Sequence, residues 1–156
     1  MEKSNFRVKS KTEHIIEVND KGETISFDLT DVSLGLRLIE TNDQLSELLD
    51  KTEKKIRELT NVSNKKKNGD LASKRERTSF EILNEFYNEA ENIFDGFLGE
   101  GACAKIFDGK KKWFTMFNDL MDKLKIEFKK AGLNPNLKKM QKDLKQKYSI
   151  NGKKAI

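Results

Sequence analysis

The feature that most constrains this chain is a seam of apolar residues at steps of three and four: Phe80, Leu83, Tyr87, Ala90, Phe94 and Phe97. Only an α-helix brings such positions onto one face, and side chains of that bulk require a second apolar face to cover them. Trp113, Phe117, Leu120, Met121, Leu124 and Phe128 offer one further along the chain. The spacing predicts one helix capped by Thr78 or Ser79 and another, carrying Trp113 through Phe128, that stops at Gly132. Between them Gly96 and Gly99 punctuate the pattern, and residues 100–107 read as a short helix closed by Asp108-Gly109.

Upstream the period changes from helical to alternating. Ile15, Ile16 and Val18 precede Asn19-Asp20-Lys21-Gly22, and Ile25 and Phe27 follow it. β-branched residues on both sides of a turn containing glycine predict a hairpin, which Phe6 and Val8 would prolong in its first strand. A lone hairpin is marginally stable, so it must pack on helices, join a third strand or pair with another chain. Near Thr30-Asp31 a side-chain oxygen can cap a helix carrying Leu34, Leu38, Leu45, Leu48, Leu49, Ile56 and Leu59. Thr41-Asn42-Asp43 marks a kink or a second cap within it. A Lys-, Asn- and Ser-rich stretch separates this helix from the aromatic seam and reads as a flexible linker open to proteolysis. After Gly132, Asn134-Pro135 opens a last helix with Leu137, Met140, Leu144 and Tyr148 as a narrow stripe, and a disordered tail is expected from Ser149.

The expected architecture is mainly α, an N-terminal β-hairpin followed by a helical bundle of about four to five helices. Its segments are a hairpin over 1–30, an amphipathic helix over 31–60, a linker over 61–77, a helical core over 78–132 and a basic helix and tail over 133–156. With 37% charged and 35% hydrophobic residues, much of the chain must form solvated faces. The formal charge of +5 is unevenly spread, because residues 109–156 hold 14 basic and 4 acidic groups, a balance of +10. That third fits an acidic partner, nucleic acid or a solvated lysine helix. No apolar run is long enough to span a membrane, and the first residues lack an apolar signal core. The expected compartment is therefore the cytoplasm.

Little in the chain points to catalysis. One cysteine precludes an internal disulfide and, with one histidine, the usual zinc sites. His14 stands beside Glu13 without a nucleophile or second ligand near it in sequence, and Cys103 sits in a small-residue turn, where cysteine behaves as a small hydrophobe. Gly96, Gly99, Gly101 and Gly109 do not match phosphate-loop spacing, and no pair among Glu81, Glu85, Glu89 and Glu91 stands out as acid and base. No enzyme activity, cofactor or metal is expected. Nucleic-acid binding has some support in Lys110-Lys111-Lys112-Trp113-Phe114 and in Lys138, Lys139, Lys142, Lys145 and Lys147. Against it, the basic third has no arginine, the residue most used to read bases.

Two stretches carry a family resemblance. Ile25-Ser26-Phe27-Asp28-Leu29-Thr30-Asp31-Val32-Ser33-Leu34-Gly35-Leu36 resembles the start of small tail assembly chaperones from siphophages and prophages of Gram-positive bacteria. Phe94-Asp95-Gly96-Phe97-Leu98-Gly99-Glu100-Gly101-Ala102-Cys103-Ala104-Lys105-Ile106-Phe107 is similar to a later block of the same proteins. The order of elements matches over roughly 12–132, whereas the lysine-rich linker and basic C-terminal helix are less typical. The resemblance implies a non-enzymatic factor of the bacterial host cytoplasm that keeps the tape measure protein soluble and helps recruit tail tube subunits of the major tail protein. By analogy its partner contacts would fall on Phe80, Leu83, Tyr87, Phe94 and Phe97, or on Trp113, Phe117 and Met121. The competing expectation is that the two stripes pack on each other as core. Alternatives are a structural tail component or small adaptor retained in the particle, and a nucleic-acid binder using the basic third. Apart from the resemblance, an amphipathic helical domain of this kind is expected to form a homo-oligomer or to bind a client. The resemblance also implies a longer frameshifted form, for which the consecutive lysines of Gly152-Lys153-Lys154 would allow a slippery codon run.

Overall fold

A computed structural model describes residues 3–5, 13–28, 31, 33–110, 113, 115–130, 142 and 144–146. The architecture is mainly α, with an N-terminal β-hairpin followed by helices. Strands β1 (Glu13–Glu17) and β2 (Thr24–Asp28) pair antiparallel, with Ile15 opposite Ser26 and Ile16 opposite Ile25. Asn19 organises the turn: its Oδ1 accepts the backbone N–H groups of Lys21 and Glu23, at 3.0 and 3.2 Å. Gly22 takes φ of +78°, which a side chain would resist. Strand alternation turns Ile25 and Phe27 into the core and leaves Thr24, Ser26 and Asp28 outside. Phe6 and Val8, expected to prolong β1, lie outside the described residues, as do Gly132, Leu137, Met140, Tyr148 and the tail.

Helix α1 (Ser33–Arg57) follows directly. Asp31 accepts the N–H and hydroxyl of Ser33, at 2.9 and 2.6 Å, which gives the helix entry the side-chain oxygen expected there. The helix runs unbroken through Thr41-Asn42-Asp43, where Thr41 turns inward and its hydroxyl donates to the Arg37 carbonyl at 2.7 Å rather than capping a new helix. Its buried face is Leu34, Thr41, Leu45, Leu48 and Thr52, a seam in which two threonines replace apolar residues. A 3-10 turn, Glu58–Asn61, ends it.

The connection to the next helix is tied at several points. Arg75 donates to the carbonyls of Val62 and Thr60, Ser73 Oγ donates to Asn64 Oδ1 at 2.8 Å, and Lys66 pairs with Glu76. Helix α2 (Lys74–Leu98) begins well before the cap expected at Thr78 or Ser79, since Ser73 and Glu76 form a capping box. Here Glu76 N–H donates to Ser73 Oγ and Ser73 N–H to Glu76 Oε1. Accepting that N–H, with Lys66 beside it, holds the Glu76 carboxyl below its ordinary range.

Helix α3 (Ala102–Phe107) and helix α4 (Met116–Lys130) complete the described core. α4 starts three residues after Trp113, which stands before the helix rather than on its seam, and the unforeseen Met116 is buried in its first turn. Phe117 meets Phe94, Phe86 and Phe107 with ring centroids 5.6, 5.9 and 5.5 Å apart. Towards the other end of α4, Phe128 closes a triangle with Phe27 and Phe97, at 4.8 and 5.8 Å. α4 therefore lies along α2, and the hairpin seals the end where Phe97 and Phe128 meet. Asn19 Nδ2 donates to the Lys105 carbonyl at 2.9 Å, and Lys21 pairs with Asp108 at 3.1 Å, which fastens the turn of the hairpin to α3.

Candidate functional site

The aromatic seam divides along its length. Phe94, Phe97, Phe117 and Met121 are buried in the core, so in the folded chain they offer no surface to a partner. The two stripes pack on each other there, as the competing expectation has it. Leu83 and Tyr87 are half-buried, and Phe80 at the head of the seam is 70% exposed. α4 accounts for the gradient: its first turn reaches Phe86 and Tyr87 through Phe117. Trp113, 44% exposed, has its indole N–H on Asp119 Oδ2 at 3.4 Å. Phe80, Leu83 and Tyr87 thus form a graded apolar strip on one helix face, the pattern that a helical partner covers by its own i, i+3, i+4 residues.

Among the grooves that flank the packed helices, two lie close to the hairpin end of the core. One lies between α1 and α2 and is lined by Arg37, Thr41, Gln44, Ile93, Gly96 and Phe97. Arg37 sits 5.9 Å from the Phe97 ring centroid and pairs with Asp31, so cation–π attraction and an ion pair hold it over the core. The second groove, about 350 Å³, runs between β1 and α4. Ile16, Val18, Ile25 and Ile106 line it with Leu124 and the half-exposed Ile126, and Lys110, Lys123, Glu17 and Glu127 edge it. Sequence reasoning missed this groove because Ile126 lies off the apolar face of α4 and Ile106 belongs to another element. Other apolar side chains stand in water: Ile15 on β1, Leu36 and Ile39 on α1, and Leu71, 96% exposed in the α1–α2 connection.

The reactive residue types have structural partners. His14 Nε2 lies 3.4 Å from Glu127 Oε2 and joins β1 to α4. Cys103 is buried, its N–H donating to Asp95 Oδ1 at 2.9 Å and its thiol directed at the Glu91 carbonyl at 3.8 Å. Gly99 and Gly101, with φ of +112° and +78°, turn the chain between α2 and α3. Among the described residues no group of three or more His, Cys, Asp and Glu side chains could hold a metal ion. No helix among them is long and apolar enough to cross a membrane. Of the basic residues weighed for nucleic acid, Lys110, Lys142 and Lys145 are exposed, while Lys111, Lys112, Phe114, Lys138, Lys139 and Lys147 lie outside the described residues.

No curated protein and no solved structure matches the chain. A family model does match, over residues 21–155, from the turn of the hairpin through the basic third. The chain belongs to that family, the family of unknown function DUF6673.

Proposed function

We propose that the protein is a non-enzymatic phage tail assembly chaperone that binds and solubilises the tape measure protein and helps recruit tail tube subunits. The observation that carries this reading is the graded strip of Phe80, Leu83 and Tyr87, an apolar helix face that the described core leaves open. A long helical client with a repeating apolar stripe is the natural complement of such a face, and covering it would keep the client from self-association. Support also comes from the block that resembles such chaperones. It forms the corner where α2 turns into α3, with Asp95 and Cys103 bonded across the turn.

The test is co-expression with the tape measure protein encoded in the same genome, followed by pull-down and a solubility assay. The client is expected to become soluble and to co-purify. Phe80→Asp is expected to remove that effect without altering the circular dichroism spectrum, because the side chain lies outside the core. An insoluble client with nothing co-purified overturns the reading. Purified particles are expected to lack the protein; its stoichiometric presence there favours a structural tail component.

A further inference from the structure

Between its anchored ends, the α1–α2 connection carries one tight turn. The Asp70 N–H donates to the Lys67 carbonyl at 3.0 Å, and the Lys67 N–H donates to Asp70 Oδ2 at 3.3 Å. Asn68 and Gly69 are the central residues of that turn, and Gly69 takes φ of +92° while Asn68 keeps a negative φ. A positive φ at the second central position is type II geometry, which glycine satisfies without strain. Both residues are exposed, and a Cβ placed on Gly69 would meet nothing within 4 Å. Among the described residues neither the Asn68 side chain nor the Gly69 N–H has a hydrogen-bond partner.

An asparagine followed by an unbonded, unhindered peptide nitrogen is a reactive pair. Glycine leaves that nitrogen open to approach, where a β-carbon would obstruct it. The nucleophile is the nitrogen after loss of its proton, and the ammonium groups of Lys65, Lys66 and Lys67 favour an anion in their midst. The turn must open before the nitrogen can reach the side chain. Two bonds between exposed residues, Lys67 and Asp70, close it, so the opening is local and leaves the helices intact.

We propose that Asn68-Gly69 is a self-modification site, at which the folded protein converts Asn68 to aspartate and isoaspartate. The Gly69 nitrogen bonds to Asn68 Cγ, and the Cγ–Nδ2 bond breaks. Ammonia leaves, taking up a proton in place of the one that the Gly69 nitrogen gave to solvent. Water then adds to either carbonyl of the five-membered imide. Addition at Cγ gives aspartate, whereas addition at the backbone carbonyl routes the main chain through the side chain, as isoaspartate. Either product adds a carboxylate to residues 63–77, whose six basic and two acidic side chains give +4, and lowers that balance to +3. Isoaspartate also lengthens the turn by one backbone atom, close to the capping box of Ser73 and Glu76.

Mass spectrometry of the full chain, aged in mildly alkaline buffer, tests this. Cleavage after Glu58 and Glu76 releases residues 59–76, which carry Asn61, Asn64 and Asn68 in one peptide. The other Asn-Gly pair of the sequence, Asn151-Gly152, falls outside that peptide. Fragmentation is expected to place the amide-to-acid mass change at residue 68, with Asn61 and Asn64 still amides. Chromatography is expected to separate an isoaspartyl from an aspartyl form. The rate in the folded chain is expected to lie within roughly tenfold of the rate in denaturant, since opening the turn is local. A larger gap overturns the proposal, because the fold then protects the pair. Conversion at Asn61 or Asn64 as fast as at Asn68 overturns it too. Asn68→Gln, whose longer side chain closes its ring far more slowly, is expected to lose the conversion and keep the circular dichroism spectrum. Conversion at residue 68 that persists in this variant overturns the cyclic route.

Discussion

Two phenylalanines in the helical half of the chain, Phe117 and Phe80, should differ widely in what they contribute to stability. Phe117 is fully buried, with three phenylalanine rings centred within 6 Å of its own. Truncating it to alanine removes a fully buried ring and leaves a cavity that its aromatic neighbours cannot readily fill. Such a change costs about 3–5 kcal/mol. Edge and stacking terms among the rings add to the burial itself, at about 0.5–1.5 kcal/mol per pair in favourable cases. Phe80 keeps most of its surface in water, so Phe80→Ala should fall within about 0.5 kcal/mol of the natural protein. The better helix propensity of alanine offsets part of that loss. Urea titration followed by circular dichroism measures both variants, with the slope m as a check that each unfolds over the same surface. In thermal melts the expected fall for Phe117→Ala is roughly 10 °C, at about 2–4 °C per kcal/mol for a chain of this size. A Phe117→Ala variant within about 1 kcal/mol of the natural protein would refute the packing described above. So would a Phe80→Ala variant that loses more than about 2 kcal/mol.

Three further perturbations probe the joints between elements. Ser73→Ala removes the acceptor for the Glu76 N–H and should cost about 1 kcal/mol in the same titration; no measurable change would show that the capping box is dispensable. Acid should act on the same helix: Glu76 in its capping box and Glu85, held by Lys55 of α1, have carboxyls below their ordinary value of 4.5. Groups depressed in this way contribute stability above about pH 4.5 that is lost as the pH falls through their folded values. Ellipticity at low pH should therefore fall less steeply in Glu76→Gln than in the natural chain, and parallel acid curves would refute the assignment. Asn19→Ala should destabilise by about 1–3 kcal/mol, whereas Asn19→Asp keeps the turn acceptor but loses the donors to the Lys105 carbonyl and the Glu23 carboxylate and sets two carboxylates together, so it should recover only part of that loss in the same melts. Equal losses in the two variants would mean that the contacts of Nδ2 outweigh the turn acceptor.

The sequence carried the type of each element further than its limits. Alternation around Asn19-Asp20-Lys21-Gly22 located the hairpin, and steps of three and four located the helices, because burial on one face imposes those periods. The start of α2 was harder to read. Ser73-Lys74-Arg75-Glu76 has the capping-box spacing, but a first turn of charged residues lacks apolar periodicity. Trp113 has helical spacing to Phe117, yet the helix begins at Met116, and spacing alone does not separate a helical residue from one just upstream. The inward threonines of α1 were invisible to a hydrophobic pattern, since Thr41 returns its hydroxyl to the carbonyl one turn back. For the surface, periodicity marked the strip headed by Phe80 but not where burial ends along it. That limit depends on how far α4 reaches, a long-range property no local spacing encodes. The groove beside β1 was illegible for the same reason, being assembled from β1, β2, α3 and α4.

The contacts that dock the hairpin also order events in time. His14 and Glu127 are separated by 113 residues, and Asn19 and Lys105 by 86, whereas α1 and α2 are joined by residues 58–73 alone. During synthesis at about 5–20 residues per second, the hairpin waits roughly 6–20 s for α4 to be made. Its inward residues, Ile25 and Phe27, emerge first and are sealed last. Over that interval the apolar face of the hairpin lacks its cover from α4, and the α1–α2 pair is the first part of the described core able to shelter it.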